Sequence, residues 1–147
     1  FFSQYFPGPR RLIQMLESLL FLCTGNSCRS QMAEGFAKIK LNKKYKIYSA
    51  GVEAHGINPY AISVMREVGI DITAQESTKI SNDELATYNF IVTLCGDARD
   101  RCPILINSKK NIHWGLEDPA NAKGTEDEII AVYRNVRDQI LMKVSTL

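Results

Sequence analysis

Two short runs with almost no polar residue, Leu19–Leu22 (LLFL) and Phe90–Leu94 (FIVTL), limit what this chain can become. Apolar runs of this length suit strands covered on both faces, and such strands belong to parallel sheets wrapped by helices. The intervening segments supply the helices. Ser30–Lys40 reads as a helix with Met32, Phe36 and Ile39 inward. Tyr45–Ser49 is expected to be a second strand, and Lys110–Trp114 the last of four. Asn58 offers a helix cap with Pro59 at the first helical position, and Gly69 closes that helix near its end. Ser81 with Glu84 has the spacing of a capping box, as does Thr125 with Glu128. The second box opens a long helix whose inner stripe is Ile129, Tyr133, Val136, Ile140 and Val144. The expected fold is α/β: one three-layer domain with a four-stranded parallel sheet, right-handed crossovers and flanking helices.

The chain's 147 residues suit one domain. A chain this long hides roughly 68–70% of the surface its unfolded form exposes, enough for a core without disulfide staples. With 45% hydrophobic and 23% charged residues, disorder is not expected. The greasiest stretch, Leu12 to Cys23, is broken by Gln14, Glu17 and Ser18 and falls short of a membrane span. A net charge of +2 is too weak to make nucleic acid the main partner. A monomer is expected. Residues 1–14 (FFSQYFPGPRRLIQ) follow no period and read as an N-terminal extension or expression remnant, leaving the domain at 15–147 with Met15 as a natural start.

Four cysteines, in the pairs Cys23/Cys28 and Cys95/Cys102, are too few for a disulfide scaffold of this size. No charged start, apolar core and cleavage site opens the sequence, so a cytoplasmic protein with reduced thiols is expected. The six residues between Cys95 and Cys102 exceed the gap of a compact zinc knuckle, and neither histidine sits at a ligand spacing. No metal is expected.

Ligands of open parallel sheets bind beyond the carboxyl ends of the strands. There, after the first strand, the sequence reads Cys23-Thr24-Gly25-Asn26-Ser27-Cys28-Arg29-Ser30 and runs directly into a helix. Gly25 and Asn26 tolerate positive φ, which lets the backbone N–H groups of Thr24 to Arg29 turn into one concavity. The helix start adds positive potential, and Arg29 a planar fork for two oxygens of a tetrahedral oxyanion. Cys23 faces the same cradle, where N–H dipoles and a guanidinium favour its thiolate and the Ser30 hydroxyl is near enough to donate. A thiolate facing a bound oxyanion is a nucleophile aimed at its central atom. Asp118, before Pro119, is the candidate general acid.

Cys95 ends the third strand as Cys23 ends the first. Neighbouring strands lie about 5 Å apart, so adjacency of these two would bring both sulfurs into one crevice. A regular helix over 95–102 would hold the Cα atoms of Cys95 and Cys102 about 10.5 Å apart. A disulfide needs less than about 7 Å, so such a bond would require this polar segment to loop or unwind. Three cysteines converging on one crevice point to a thiol relay.

At this point the residues resemble a known family. CTGNSCRS at 23–30 resembles the phosphate loop of the low-molecular-weight protein tyrosine phosphatases. The fuller set is CTGNSCRSQMAEG at 23–35, YSAGVEAHGINP at 48–59, VTLCGDARDRCP at 92–103 and HWGLEDPA at 113–120. Together these resemble the thioredoxin-coupled arsenate reductases built on that fold. Ala120 and Asn121 stand where the phosphatases carry tyrosines that grip an aryl substrate. The resemblance implies the phosphatase-like fold and a relay. Cys23 would attack arsenate held by Arg29 and the loop amides, with Asp118 protonating the departing oxygen. Cys95 would attack the Cys23–arsenic adduct, and Cys102 would attack Cys95, leaving a Cys95–Cys102 disulfide for thioredoxin or a glutaredoxin. No other cofactor is implied, and Cys28 is read as packing. Relatives that bind potassium near the loop use residues matching Asn26, Glu34 and Ser49 plus a carboxylate where this chain has Lys79. The Lys79 ammonium is therefore expected beside Glu34 in the cation's place. The residues leave two alternatives open: a phosphatase using Cys23, Arg29 and Asp118, or a non-catalytic zinc or oxyanion-binding module.

Overall fold

The computed structural model describes residues 16–95 and 111–147. The most apolar strand takes the most enclosed position. β1 (Glu17–Cys23) lies between β2 (Tyr45–Gly51) and β3 (Phe90–Thr93), and β4 (Asn111–His113) pairs beyond β3. Every pairing is parallel, and the order is β2-β1-β3-β4. Leu19 to Leu22 are fully buried, whereas β2 alternates between exposed and half-buried until Ala50, as suits an outer strand. The order reverses at β1, which sends one neighbour to each side and opens a crevice between the carboxyl ends of β1 and β3.

The helices are α1 (Arg29–Lys40), α2 (Pro59–Glu67), α3 (Asn82–Leu85) and α4 (Glu126–Val144). The expected caps form: Asn58 accepts from the N–H groups of Tyr60 and Ala61, and both capping boxes close reciprocally. Gly69 follows α2 with a φ of 81°. Tyr133, Val136, Ile140 and Val144 of α4 are buried, with Ile129 at the margin. In α1, Met32 and Phe36 point inward as expected, but Ile39 is 62% exposed. The last turn of α1 runs past the core edge, and the next buried apolar side chain is Leu41, just beyond the helix. Every residue from Arg29 to Ala37 is buried, because α1 packs on β1, β2, α2 and α4 together. Among the described residues no helix is long and apolar enough to cross a membrane. Residues 1–14, Lys110 and Cys102 lie outside the described residues.

An ionic clamp joins α2 to α4. Glu67 accepts from Arg134 at 2.7 to 3.1 Å and from Arg137 at 2.8 Å. The buried Arg137 also donates to the Val64 carbonyl at 2.9 Å. Hydrogen bonds from Arg134 first, then Arg137, hold the Glu67 carboxyl down to about 2 from its ordinary 4.5. A lowered carboxyl contributes stability above its unfolded value and loses it as pH falls through the folded one. This contribution should therefore fade between pH 4.5 and about 2. Carboxyl-carbon NMR is expected to place the Glu67 midpoint near the lower end and to move it upward in Arg134→Ala. A wild-type midpoint at the ordinary value would contradict the clamp.

Candidate active site

The loop from Cys23 to Cys28 leaves β1 and enters α1, and its shape is held from outside. Its carbonyls are taken one by one by donors behind it. Cys23 O accepts from Val52 N at 3.3 Å, Thr24 O from Glu53 N at 2.8 Å, and Gly25 O from His55 N at 2.9 Å. Asn26 O accepts from Gln31 Nε2 at 3.0 Å. Ser27 O accepts from Asn58 N at 2.9 Å, and Cys28 O from Met32 N at 3.0 Å. The N–H groups of Gly25, Asn26, Ser27 and Cys28 find no acceptor among the described residues. Asn26 makes the turn at a φ of 48°, the one described non-glycine residue in that region. Gly25, Ser27 and Cys28, with Arg29, border a pocket of about 230 Å³ that Cys23, Thr24, His55, Asn58, Asp118 and Ala120 also line. Converging unpaired N–H groups at a helix start form a site for a small anion.

Gly51 explains how the loop fits so closely against the end of β2. A Cβ there would stand 2.7 Å from Asn26 N, 2.7 Å from Thr24 O and 2.4 Å from Glu53 O, all backbone atoms with no room to yield. Gly51→Ala is expected to cost about 3 kcal/mol of stability and to weaken binding of inorganic phosphate. Thermal melts and phosphate titration would check this, and an unchanged melting temperature would contradict it.

Cys23 Sγ lies 2.8 Å from Ser30 Oγ. Asn26 Nδ2 donates to that hydroxyl at 2.8 Å, which leaves the Ser30 proton for the sulfur. The second Nδ2 proton of Asn26 goes to Ser49 Oγ at 3.0 Å, and Asn26 Oδ1 accepts from Thr78 N at 2.8 Å. Ser49 in turn donates to Glu34, whose other oxygen pairs with Lys38 four residues along α1. The ammonium beside Glu34 is thus Lys38, not Lys79, which is exposed while its backbone bridges to Gly51. The carboxylate is already shared between a hydroxyl and an ammonium, so these residues do not fit an added potassium ion.

Arg29 is 8% exposed, and its guanidinium is anchored rather than free. Nη1 donates to the carbonyls of Leu116 at 3.1 Å and Leu94 at 3.4 Å, and Nη2 stands 3.6 Å from Asp118 Oδ2. Asp118 caps the 3-10 turn Pro119–Asn121 by accepting from Ala120 N at 3.0 Å, which orients the carboxylate toward the pocket. Cys95 lies two residues past Thr93, which pairs with Leu22, and its sulfur reaches Thr24 Oγ1 at 3.0 Å. β1 and β3 are adjacent as expected, and the Cys95 sulfur meets Thr24, the residue next to Cys23. Cys28 is buried in the core, and burial first, then Cys23, pushes its thiol pKa far up. A thiol kept protonated is a poor nucleophile, in keeping with a packing role. Among the described residues no cluster of three or more His, Cys, Asp and Glu could hold a metal ion.

The sequence alone gives no sign of the parts played by Gln31 and His55, and marks Asn58 only as a helix cap. For Lys38 its one signal is the i,i+4 spacing to Glu34. His55 and Asn58 lie in the 48–59 segment, whose approach to the loop depends on the sheet register.

Comparison with known proteins agrees with this geometry. Residues 18–147 match the family model for low molecular weight phosphotyrosine protein phosphatase. An arsenate reductase of Oceanobacillus iheyensis is 58% identical over 122 residues, covering 83% of this chain and 88% of that protein. One of Bacillus subtilis is 57% identical over the same length and shares. A solved structure of an arsenate reductase in the phosphate binding state is 37% identical, with a TM-score of 0.77, covering 89% of this chain and 95% of that one.

Proposed function

The chain belongs to the low molecular weight phosphotyrosine protein phosphatase family, and we infer that within it this protein is an arsenate reductase working by a relay of three cysteines. The observation that carries this reading is the Cys95 thiol, 3.0 Å from the hydroxyl of Thr24, the residue next to Cys23. A phosphatase needs one sulfur in the crevice. A second at the loop's edge is what a two-electron reduction requires. The identity to arsenate reductases over most of the chain supports it further.

In this reading the loop N–H groups and Arg29 hold arsenate with arsenic facing Cys23 Sγ. The sulfur attacks arsenic(V), one As–O bond breaks, and the oxygen leaves as water with a proton from Asp118. The Cys95 thiolate then attacks the Cys23 sulfur. A Cys23–Cys95 disulfide forms, the S–As bond breaks, and its electron pair stays on arsenic, which departs as arsenite. Cys102 attacks Cys95 and frees the Cys23 thiolate. Two electrons from the dithiol of thioredoxin, or of a glutaredoxin, return the Cys95–Cys102 disulfide to thiols. Arg29 serves two sites here, since it borders the pocket and also holds the carbonyl of Leu94, beside Cys95.

Turnover assays separate this reading from the hydrolase alternative. Arsenate reduction that depends on thioredoxin, with only weak hydrolysis of aryl phosphates, is expected. Fast aryl phosphate turnover without any reductant, and no arsenite, would favour a phosphatase instead. Because Lys38 occupies the Glu34 carboxylate, exchanging sodium for potassium at equal ionic strength should leave the melting temperature and turnover nearly unchanged. A clear rise in melting temperature with potassium would overturn that.

A further inference from the structure

Of the loop carbonyls held from behind, most are taken by backbone N–H groups. Asn26 differs: its carbonyl is held by a side chain, Gln31 Nε2 at 3.0 Å, at the residue that makes the left-handed turn. Gln31 is fully buried, and its amide is saturated. Nε2 also donates to Glu76 O at 2.9 Å, while Oε1 accepts from Gln75 Nε2 at 2.8 Å. The carbonyls of Asn26 and Glu76 fix which end of the amide faces the loop, because only the NH₂ end can donate to both.

In a planar trans peptide the C=O and the N–H point in opposite directions. Holding the Asn26 carbonyl outward therefore turns the N–H of the same peptide, that of Ser27, inward. Ser27 lines the pocket, and its N–H has no acceptor among the described residues. Asparagine tolerates several backbone regions, so the positive φ of Asn26 does not by itself bar a flip of the 26–27 peptide.

We propose that Gln31 is a positioning residue for the oxyanion: by holding the Asn26 carbonyl behind the loop, it aims the Ser27 N–H at the bound anion. The inference rests on the oxyanion-binding reading of the pocket, but not on the cysteine relay. Loss of the Gln31 donor leaves the Asn26 carbonyl seeking another partner, and the peptide becomes free to turn toward the pocket, where it would present an oxygen to an anion.

The test uses inorganic phosphate as probe, with the reduced full chain. Phosphate is expected to shift the Ser27 amide proton strongly downfield in the wild-type protein. Gln31→Met keeps the volume and removes the donor. It should weaken phosphate binding about tenfold, the worth of one hydrogen bond to a charged group, and abolish the Ser27 shift. Gln75→Met removes a bond in the same network but leaves the Gln31 donor in place. It should lower the melting temperature while keeping the Ser27 shift and most of the affinity. Equal affinity in Gln31→Met and wild type, or equal losses in both variants, would overturn the proposal. So would a wild-type Ser27 amide that phosphate does not move, a result needing no variant. Absence of phosphate binding by the wild-type protein would instead sink the oxyanion reading itself.

Discussion

Replacing Cys23 by serine is expected to reduce arsenate turnover by about 10⁴-fold or more while leaving the fold and phosphate binding intact. Oxygen is smaller than sulfur, so the Ser30 hydroxyl and the loop amides keep their places around it. The chemistry fails for two separate reasons. A serine hydroxyl is a far weaker nucleophile than a thiolate at neutral pH. An arsenate ester on oxygen also offers Cys95 no sulfur to attack, so no disulfide can form and arsenic keeps its oxidation state. Steady-state turnover with thioredoxin, beside a phosphate titration, would read both parts. Activity within tenfold of wild type would remove Cys23 from the mechanism.

Arg29→Lys is expected to lower kcat/KM by about 10²- to 10³-fold, the cost seen when one donor to a developing oxyanion is removed. The charge survives, but the fork does not. The Arg29 guanidinium satisfies the carbonyls of Leu94 and Leu116 and faces Asp118 while bordering the pocket. One ammonium cannot meet all of these from the end of a flexible stem. The abandoned carbonyls are buried behind the site, and each unpaired group costs about 1–3 kcal/mol, so the melting temperature should fall as well. A variant that keeps kcat/KM within threefold of wild type would show that charge alone suffices there.

What could be read from the sequence was what local chemistry dictates. Leu19–Leu22 and Ile91–Thr93 form buried strand because they are almost wholly apolar, and the one hydroxyl, that of Thr93, is hydrogen-bonded to His113. Asn58, Ser81 and Thr125 cap their helices because each cap is complete within four residues. The loop at 23–30 was legible for the same reason, since its glycine, asparagine and arginine act within one turn of the nucleophile. The harder features depend on tertiary neighbours. Gln31 and Glu34 look like surface residues of an amphipathic helix, and they are buried because α1 is enclosed on several sides. Ile39 looks like core and is exposed because the core ends first. Lys79 was expected at Glu34 by matching a position in relatives, whereas helix geometry favours Lys38.

The relay is tested most directly by a single turnover. Fully reduced protein receives one equivalent of arsenate with no other reductant, and intact and peptide masses are then measured alongside arsenite. The predicted result is a loss of two hydrogens per chain, a disulfide mapped to Cys95 and Cys102, and one arsenite released. No oxidation, with every thiol titrating as before, would contradict the relay and leave the pocket to phosphate ester chemistry.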